Sequence, residues 1–155
     1  MKQTCGDIMT PRPACVLPSD PVARAARIMK AEDVGSVPVV DGHDSNRLLG
    51  IVTDRDVVVR VVAEGRDPAA TRVEEVMTRD PVTCRPEDEV EAALDAMGKH
   101  QVRRIPIVEN RNRLVGIIAQ ADVATRLEEP EDAAEVVREI SQETSPVRPT
   151  EDPTR

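Results

Sequence analysis

Two short segments of the sequence place an aspartate three residues after a possible helix cap, and each segment begins with an apolar run. The first, GIVTDRD, contains Thr53 and Asp56, and the second, GIIAQAD, contains Ala119 and Asp122. A helix that begins at such a segment presents free N–H groups and a partial positive charge, which attract a phosphate. A hydroxyl adds one hydrogen bond to the phosphate, and a carboxylate accepts two from a diol such as ribose. The same spacing also forms a capping box that only completes the helix start, and both interpretations are open from these residues.

The two segments are part of a repeat that covers most of the chain. Residues match at an offset of 68, as Pro38 does with Pro106, and at an offset of 66 after the polar loop DGHDSN. Each copy has the same predicted order of elements, β-α-β-β-α, over roughly 55 to 60 residues. The repeats are assigned to residues 7–66 and 67–127, followed by a C-terminal helix at 128–143 and a disordered tail at 144–155.

The pattern inside each copy predicts the elements that carry these residues. In the first copy a short strand is predicted at 14–17, and the sequence SDP before Val22 supplies a helix cap followed by proline. The β-branched runs SVPVV and RLLGIV are typical of a hairpin, and a second helix is predicted from Asp54 to about Ala63. We therefore expect an α/β (α+β) fold in which two β-α-β-β-α repeats pack through their sheets about a pseudo-two-fold axis, with a cleft between them.

Composition and charge argue against several classes of function. The chain has no Phe, Trp or Tyr and a net charge of −8, so single-stranded nucleic acid finds neither a stacking platform nor a basic surface. No segment has the roughly 20 apolar residues of a membrane span, and the N-terminus has no signal-peptide pattern, which predicts a cytoplasmic protein without membrane contact. The three cysteines match neither a metal site nor a redox pair, so no metal is expected. Cys5, near a terminus expected to be loose, is predicted to be able to link two chains.

The doubled segments, with Met-Thr at the start of each copy and the runs GSVPVV and RRIPIV at each hairpin, resemble the CBS domain. Two in tandem resemble the CBS pair, or Bateman module, and the similarity covers about residues 7 to 127. The layout is similar to that of stand-alone bacterial CBS-pair proteins, including the hypoxic-response type. This resemblance implies a non-catalytic regulatory module, with no required cofactor and up to two clefts for AMP, ADP, ATP or S-adenosylmethionine. It also implies a homodimer joined through helices and an unidentified protein partner.

The resemblance assigns roles to individual residues. Asp56 is expected to hold the ribose hydroxyls and Thr53 to contact phosphate, while Asp122 takes the ribose role in the second copy. Arg103 and Arg104 are candidates for phosphate contacts and are expected to serve the cleft of Thr53 and Asp56 from the other repeat, although they also fit a solvated strand start. The walls and main-chain partners of an adenine base are expected to be Ala14, Cys15, Val16, Val37 and Pro38.

The replacement of the hydroxyl by Ala119 predicts unequal clefts. One phosphate hydrogen bond is worth about 1 kcal/mol or more, up to roughly tenfold in affinity, so the cleft of Thr53 and Asp56 should be the stronger one. Two other functions stay open: a structural or protein–protein interaction module with vestigial nucleotide sites, and a nucleotide hydrolase. The sequence has no nucleophile with a base, P-loop or metal cluster that would support an enzyme.

Overall fold

The computed structural model describes residues 3–126, and the predicted helix at 128–143 and tail at 144–155 lie outside the described residues. Two three-stranded antiparallel sheets form its centre, with helices packed on them, so the expected α/β fold of two repeats is confirmed. The elements are α1 (Cys5–Ile8), β1 (Thr10–Pro11), α2 (Val22–Glu32), β2 (Ser36–Val40), β3 (Leu48–Thr53), α3 (Asp54–Val57) with a π-helical turn (Val58–Val62), β4 (Thr78–Arg79), α4 (Val90–His100), β5 (Arg104–Glu109), β6 (Arg113–Ala119) and α5 (Gln120–Arg126), with short 3-10 turns at Val73–Glu75 and Asn110–Asn112.

Each sheet is built around one of the two predicted hairpins. β2 pairs with β3 in the first repeat, and β5 pairs with β6 in the second. Every residue of β2 is buried, which fits its unbroken apolar sequence. The strand predicted at 14–17 is reduced to a single bridge between Val16 and Val39. It cannot extend because Pro13 and Pro18, on either side, have no N–H group to donate to a neighbouring strand.

The start of α2 differs from the cap predicted from SDP. Pro21 occupies the N-cap position, and neither Ser19 nor Asp20 does. Asp20 instead accepts a hydrogen bond from the Leu17 N–H at 2.8 Å and closes the turn before the helix. A short aspartate side chain can bond either to the helix start or to a nearby turn, and Asp20 bonds to the turn.

The third strand of each sheet comes from the start of the other repeat. β1 lies beside β6, with Thr10 opposite Ile117, and β4 lies beside β3, with Thr78 opposite Ile51. Each sheet with its apolar cluster therefore contains residues from both sequence repeats. The segment that precedes β1 packs in the apolar cluster of the second repeat, and the segment that precedes β4 packs in that of the first.

The glycine that opens each doubled segment is required by this exchange of strands. A Cβ atom on Gly50 would lie 2.6 Å from the Thr78 carbonyl oxygen, and one on Gly116 would overlap the Met9 side chain. Only a residue without a side chain lets the exchanged strand approach the hairpin this closely.

Cys5 lies in the core, so the expectation of a loosely held, accessible Cys5 is wrong. Its side chain is fully buried with Ile8 and Cys84 in the apolar cluster of the second repeat. The hydrogen bond with Cys84, together with burial, raises the pKa of the Cys5 thiol, so the thiol stays protonated. A buried, neutral thiol cannot link two chains while this packing is intact.

Two reciprocal hydrogen bonds join the hairpins of the two repeats. The Asn46 side chain donates to the Leu114 carbonyl at 2.6 Å, and the Asn112 side chain donates to the Leu48 carbonyl at 2.7 Å. Both asparagines have positive φ angles, 54° and 60°, a conformation that Asn adopts more readily than most residues. The equivalent bonds follow the pseudo-two-fold relation between the repeats. An apolar cluster from both repeats completes this contact between the two hairpins: Val40, Leu48, Val108 and Leu114. We call the contact between the hairpins the joint.

Gly50→Ala is expected to lower the free energy of unfolding by about 1 to 3 kcal/mol, because the added methyl group must displace the exchanged strand. The control is Gly42→Ala, where a Cβ atom would meet only the Ser45 hydroxyl, at 3.4 Å. Urea denaturation of both variants measures the difference. If the two variants were equally stable, the exchanged strand would not depend on the glycine.

Candidate functional site

Thr53 and Asp56 form a reciprocal capping box where β3 ends and α3 begins. The Asp56 N–H donates to the Thr53 hydroxyl at 3.1 Å, and the Asp56 carboxylate accepts from the Thr53 N–H at 3.0 Å. Thr53 has extended backbone angles, and the residues after it are helical. The capping interpretation of this segment is therefore confirmed, and the box fixes the position of both side chains.

Neither Thr53 nor Asp56 uses all of its hydrogen-bonding capacity in the capping box. Asp56 is 8% exposed, and only its Oδ2 atom takes part in the box. Its Oδ1 atom lies 3.9 Å from the Arg60 guanidinium, at the outer limit of an ion pair. A carboxylate has about four acceptor positions, and a hydroxyl that accepts one bond can still donate its proton. The helix cap and a ligand can therefore use the same two side chains at once.

The helix that follows the box widens after its first turn. Val58–Val62 forms a π-helical turn, in which the Ala63 N–H donates to the Val58 carbonyl at 2.8 Å. The helix predicted from Asp54 to about Ala63 is confirmed in its extent. Turns of this kind inside α-helices occur frequently at functional sites.

Ser36 is a polar residue of this site that sequence reasoning did not select. It pairs with Thr53 across the hairpin and is only 7% exposed. Its hydroxyl is buried and has no hydrogen-bond partner among residues 3–126, a state that costs about 1 to 3 kcal/mol. In the second repeat, the side-chain oxygen of Gln120 is buried in the same unpartnered state within the described chain. The register of the predicted hairpin was the signal that could have placed Ser36 opposite Thr53.

The predicted walls of the base site divide into buried and accessible residues. Val16, Val37 and Pro38 are buried, and the two valines belong to the apolar cluster of the first repeat. Cys15 is half-buried and Ala14 is exposed. The main chain of Val16 is paired with β2 through the Pro38 carbonyl at 3.1 Å. Ala14 is thus the exposed member of the set, and Cys15 packs partly against the apolar cluster between the two hairpins.

Arg103 and Arg104 lie beside the start of α5, the helix that follows β6 in the second repeat. The Gln120 N–H donates to the Arg103 carbonyl at 2.8 Å, and Arg104 pairs with Ala119 across the hairpin. Asp122 lies in the first turn of the helix that follows. The main chain therefore places both arginines beside the Asp122 segment of their own repeat, and their contact with the cleft of Thr53 and Asp56 stays a prediction.

Residues 3–126 contain neither a cluster of metal ligands nor a helix that could cross a membrane. Among residues 3–126, no group of three or more His, Cys, Asp and Glu side chains could hold a metal ion. In that same part of the chain, every helix is too short or too polar to cross a membrane.

Comparison with known proteins assigns the two halves to one domain type. The family model of the CBS domain matches residues 5–63 and 73–129. CBS domain-containing protein YhcV of Bacillus subtilis is 41% identical over 135 residues, which cover 87% of this chain and 93% of the relative. Hypoxic response protein 1 of Mycobacterium tuberculosis is 35% identical over 126 residues, which cover 81% of this chain and 86% of the relative.

Solved structures of similar fold include two with bound adenosine compounds. The crystal structure of CBSX2 in complex with AMP has a TM-score of 0.69 and 26% identity, and the match covers 88% of this chain and 98% of that one. The CBS domain pair of protein MJ0100, in complex with 5′-methylthioadenosine and S-adenosyl-L-methionine, also has a TM-score of 0.69 and 26% identity. That match covers 81% of this chain and 95% of the other.

Thr53→Ala is expected to lower the free energy of unfolding of the ligand-free protein by about 1 kcal/mol, because the Asp56 N–H loses its acceptor. Thr53→Ser keeps the hydroxyl and is the matched control. Denaturant unfolding of both variants gives the comparison. A serine variant as unstable as the alanine variant would contradict the capping role of the hydroxyl.

Proposed function

The chain belongs to the CBS domain family as a tandem pair, and we propose that it is a regulatory module that binds an adenosine-containing ligand beside Thr53 and Asp56. The observation that carries this proposal is the Ser36 hydroxyl opposite Thr53, which is buried and has no hydrogen-bond partner in the described part of the chain. A buried polar group without a partner in a folded protein calls for an explanation, and a ligand or water in the cleft is one. A ligand atom that bonds to Ser36 would remove the desolvation penalty of its hydroxyl.

Each polar group of the site has a role in this proposal. Asp56 accepts hydrogen bonds from the two ribose hydroxyls, through the acceptor positions that the capping box does not use. Thr53 donates its hydroxyl proton to phosphate, and the start of the helix adds a partial positive charge. Ser36 bonds to the same ligand from the neighbouring strand.

The class of ligand rests on the relatives and on the composition of the chain. AMP, 5′-methylthioadenosine and S-adenosyl-L-methionine, the ligands of the two similar structures, all contain adenosine. The chain has no aromatic residue, so the adenine ring must pack on aliphatic groups. In the proposal, Ala14 and Cys15 contact the ring, and Val16, Val37 and Pro38 form the layer beneath them.

We propose a second, weaker cleft in the second repeat. Asp122 takes the ribose role there, but Ala119 cannot replace the hydroxyl of the first repeat. The cations Arg103 and Arg104 lie at that helix start and are the candidate phosphate contacts. The buried oxygen of Gln120 is a further acceptor for a ligand donor. The two clefts therefore differ in the hydrogen bonds that they offer to the same compound.

A second candidate function is a protein–protein interaction module, which a patch of exposed valines favours. Val58, Val59 and Val62 are 57, 46 and 66% exposed along the helix that the capping box begins. Adjacent exposed apolar side chains are typical of protein contact sites. A homodimer through this helix is our proposal for the assembly, and it is compatible with ligand binding in the clefts.

Calorimetric titration with AMP, ATP and S-adenosylmethionine tests the proposed function. Asp56→Ala is expected to weaken binding at least tenfold or so, because hydrogen bonds to a charged group are worth about 1.5 to 3 kcal/mol. Asp56→Asn is the matched control for the cap, since it keeps an acceptor for the Thr53 N–H and loses the charge. Equal losses from Asp56→Ala and Asp122→Ala would contradict the unequal clefts.

Thermal denaturation separates the two candidate functions. A ligand at 100 times its Kd is expected to stabilise the protein by about 2.7 kcal/mol. In parallel, light scattering compares the native chain with the Val58→Lys, Val62→Lys double variant, which should dissociate if the valines form an interface. Dissociation without any thermal shift by adenosine compounds would favour the interaction module over the ligand sensor.

A further inference from the structure

A cleft of about 790 Å³ opens where the hairpin turns of the two repeats meet. It is separate from the proposed ligand site at Asp56. Thr53 pairs with Ser36 at one end of the first hairpin, and the turn lies at the other end. Charged and polar residues line the cleft throughout, and four of them are arginines: Arg47, Arg85, Arg111 and Arg113.

Two of these arginines face each other across the joint between the repeats. Arg47 and Arg113 form an antiparallel backbone bridge and occupy equivalent positions in the two copies. Like charges directly opposite each other on neighbouring strands are destabilising. Within residues 3–126, neither guanidinium forms an ion pair with a carboxylate. An anion bound between the two guanidinium groups would reduce the repulsion between them.

Three carboxylates line the cleft: Asp41, Glu87 and Glu109. Glu109 lies opposite Arg113 across the second hairpin, and the other two are held by local bonds. Asp41 accepts hydrogen bonds from the Ser45 hydroxyl at 2.6 Å and from the Arg47 N–H at 3.0 Å. The Ser45 bond, above all, lowers the pKa of Asp41, and both bonds tie its carboxylate to its own turn. Glu87 is paired with Arg85 at 2.7 Å. The charge of Arg47 also contributes to the lowered pKa of Asp41. The lining thus holds four arginines against three carboxylates, an excess of one positive charge.

The turns that carry the arginines are fixed before any ligand binds. Arg111 has a φ angle of 62° in the left-handed region, and the adjacent Asn112 has one of 60°. The Asn112 side chain is bonded to the Leu48 carbonyl of the other repeat, and the Asn46 side chain makes the equivalent bond in return. Groups held in place by such cross-links lose little conformational entropy on binding.

We propose that this cleft binds a polyphosphate anion between Arg47 and Arg113. A guanidinium group donates two parallel hydrogen bonds to phosphate oxygens and stays charged at physiological pH. All of the lining side chains are polar or charged, which favours recognition of the phosphate chain over that of a nucleobase. The site goes beyond the proposed adenosine cleft and does not depend on it.

Titration calorimetry of the full chain with inorganic pyrophosphate at low ionic strength tests this site. The Arg47→Gln, Arg113→Gln double variant is expected to bind pyrophosphate at least tenfold or so more weakly than the native chain. Arg27→Gln, which removes an exposed arginine on α2, is the matched control and should leave the affinity unchanged. A thermal scan without ligand adds a second readout, because removing the opposed charges should raise Tm slightly.

Three results would overturn the proposal. The first is the absence of saturable pyrophosphate binding by the native chain. The second is an equal loss of affinity in Arg27→Gln, which would indicate a diffuse charge effect. The third is a loss of pyrophosphate binding in Asp56→Ala, which would move the anion to the adenosine cleft. Conversely, AMP binding that is retained in the arginine double variant would show that the two sites are separate.

Discussion

The exchange of edge strands between the repeats is the constraint on which the rest of the structure depends. Neither three-stranded sheet is complete without a strand that the sequence places at the start of the other repeat. Gly50 and Gly116 permit this exchange, because a side chain at either position would occupy the space of the incoming strand. Once the strands have crossed, the Asn46 and Asn112 bonds fix the two hairpins against each other. These bonds thereby fix the position of each hairpin end, where the helices and the candidate sites begin, relative to the other.

Within that frame, one short segment has a structural role and, in the proposed function, a chemical one. Thr53 and Asp56 complete the start of a helix, and the acceptor positions that remain are those a sugar diol requires. Asp56 also lies within ion-pair range of Arg60, whose guanidinium donates to the Val76 carbonyl at 3.1 Å. A ligand that competes for the Asp56 carboxylate therefore acts on a helix that is tied to the exchanged strand segment. This continuity offers a physical route from the cleft to the valine face of the helix.

Local patterns predicted the hairpins, the two long helices and the capping box, because each depends on neighbouring residues. The exchange of strands could not be predicted in this way, since two similar copies give no indication of which hairpin a short edge strand joins. The buried position of Cys5 was missed for the same reason, because its partners lie in the second repeat. The role of Ser36 depends on the register of a hairpin and on a hydroxyl without a partner, and the second of these becomes visible only in three dimensions.

The crossed strands also set an order of events during synthesis. β1 leaves the ribosome well before its partner β6, which ends at Ala119, more than 100 residues later. Until then Cys5 and Ile8, which the second repeat buries, have no apolar surface of their own to join. Pairings of such long sequence separation form late, and exposed segments that wait for them are vulnerable to aggregation. The second sheet can close only when both ends of the described chain are present.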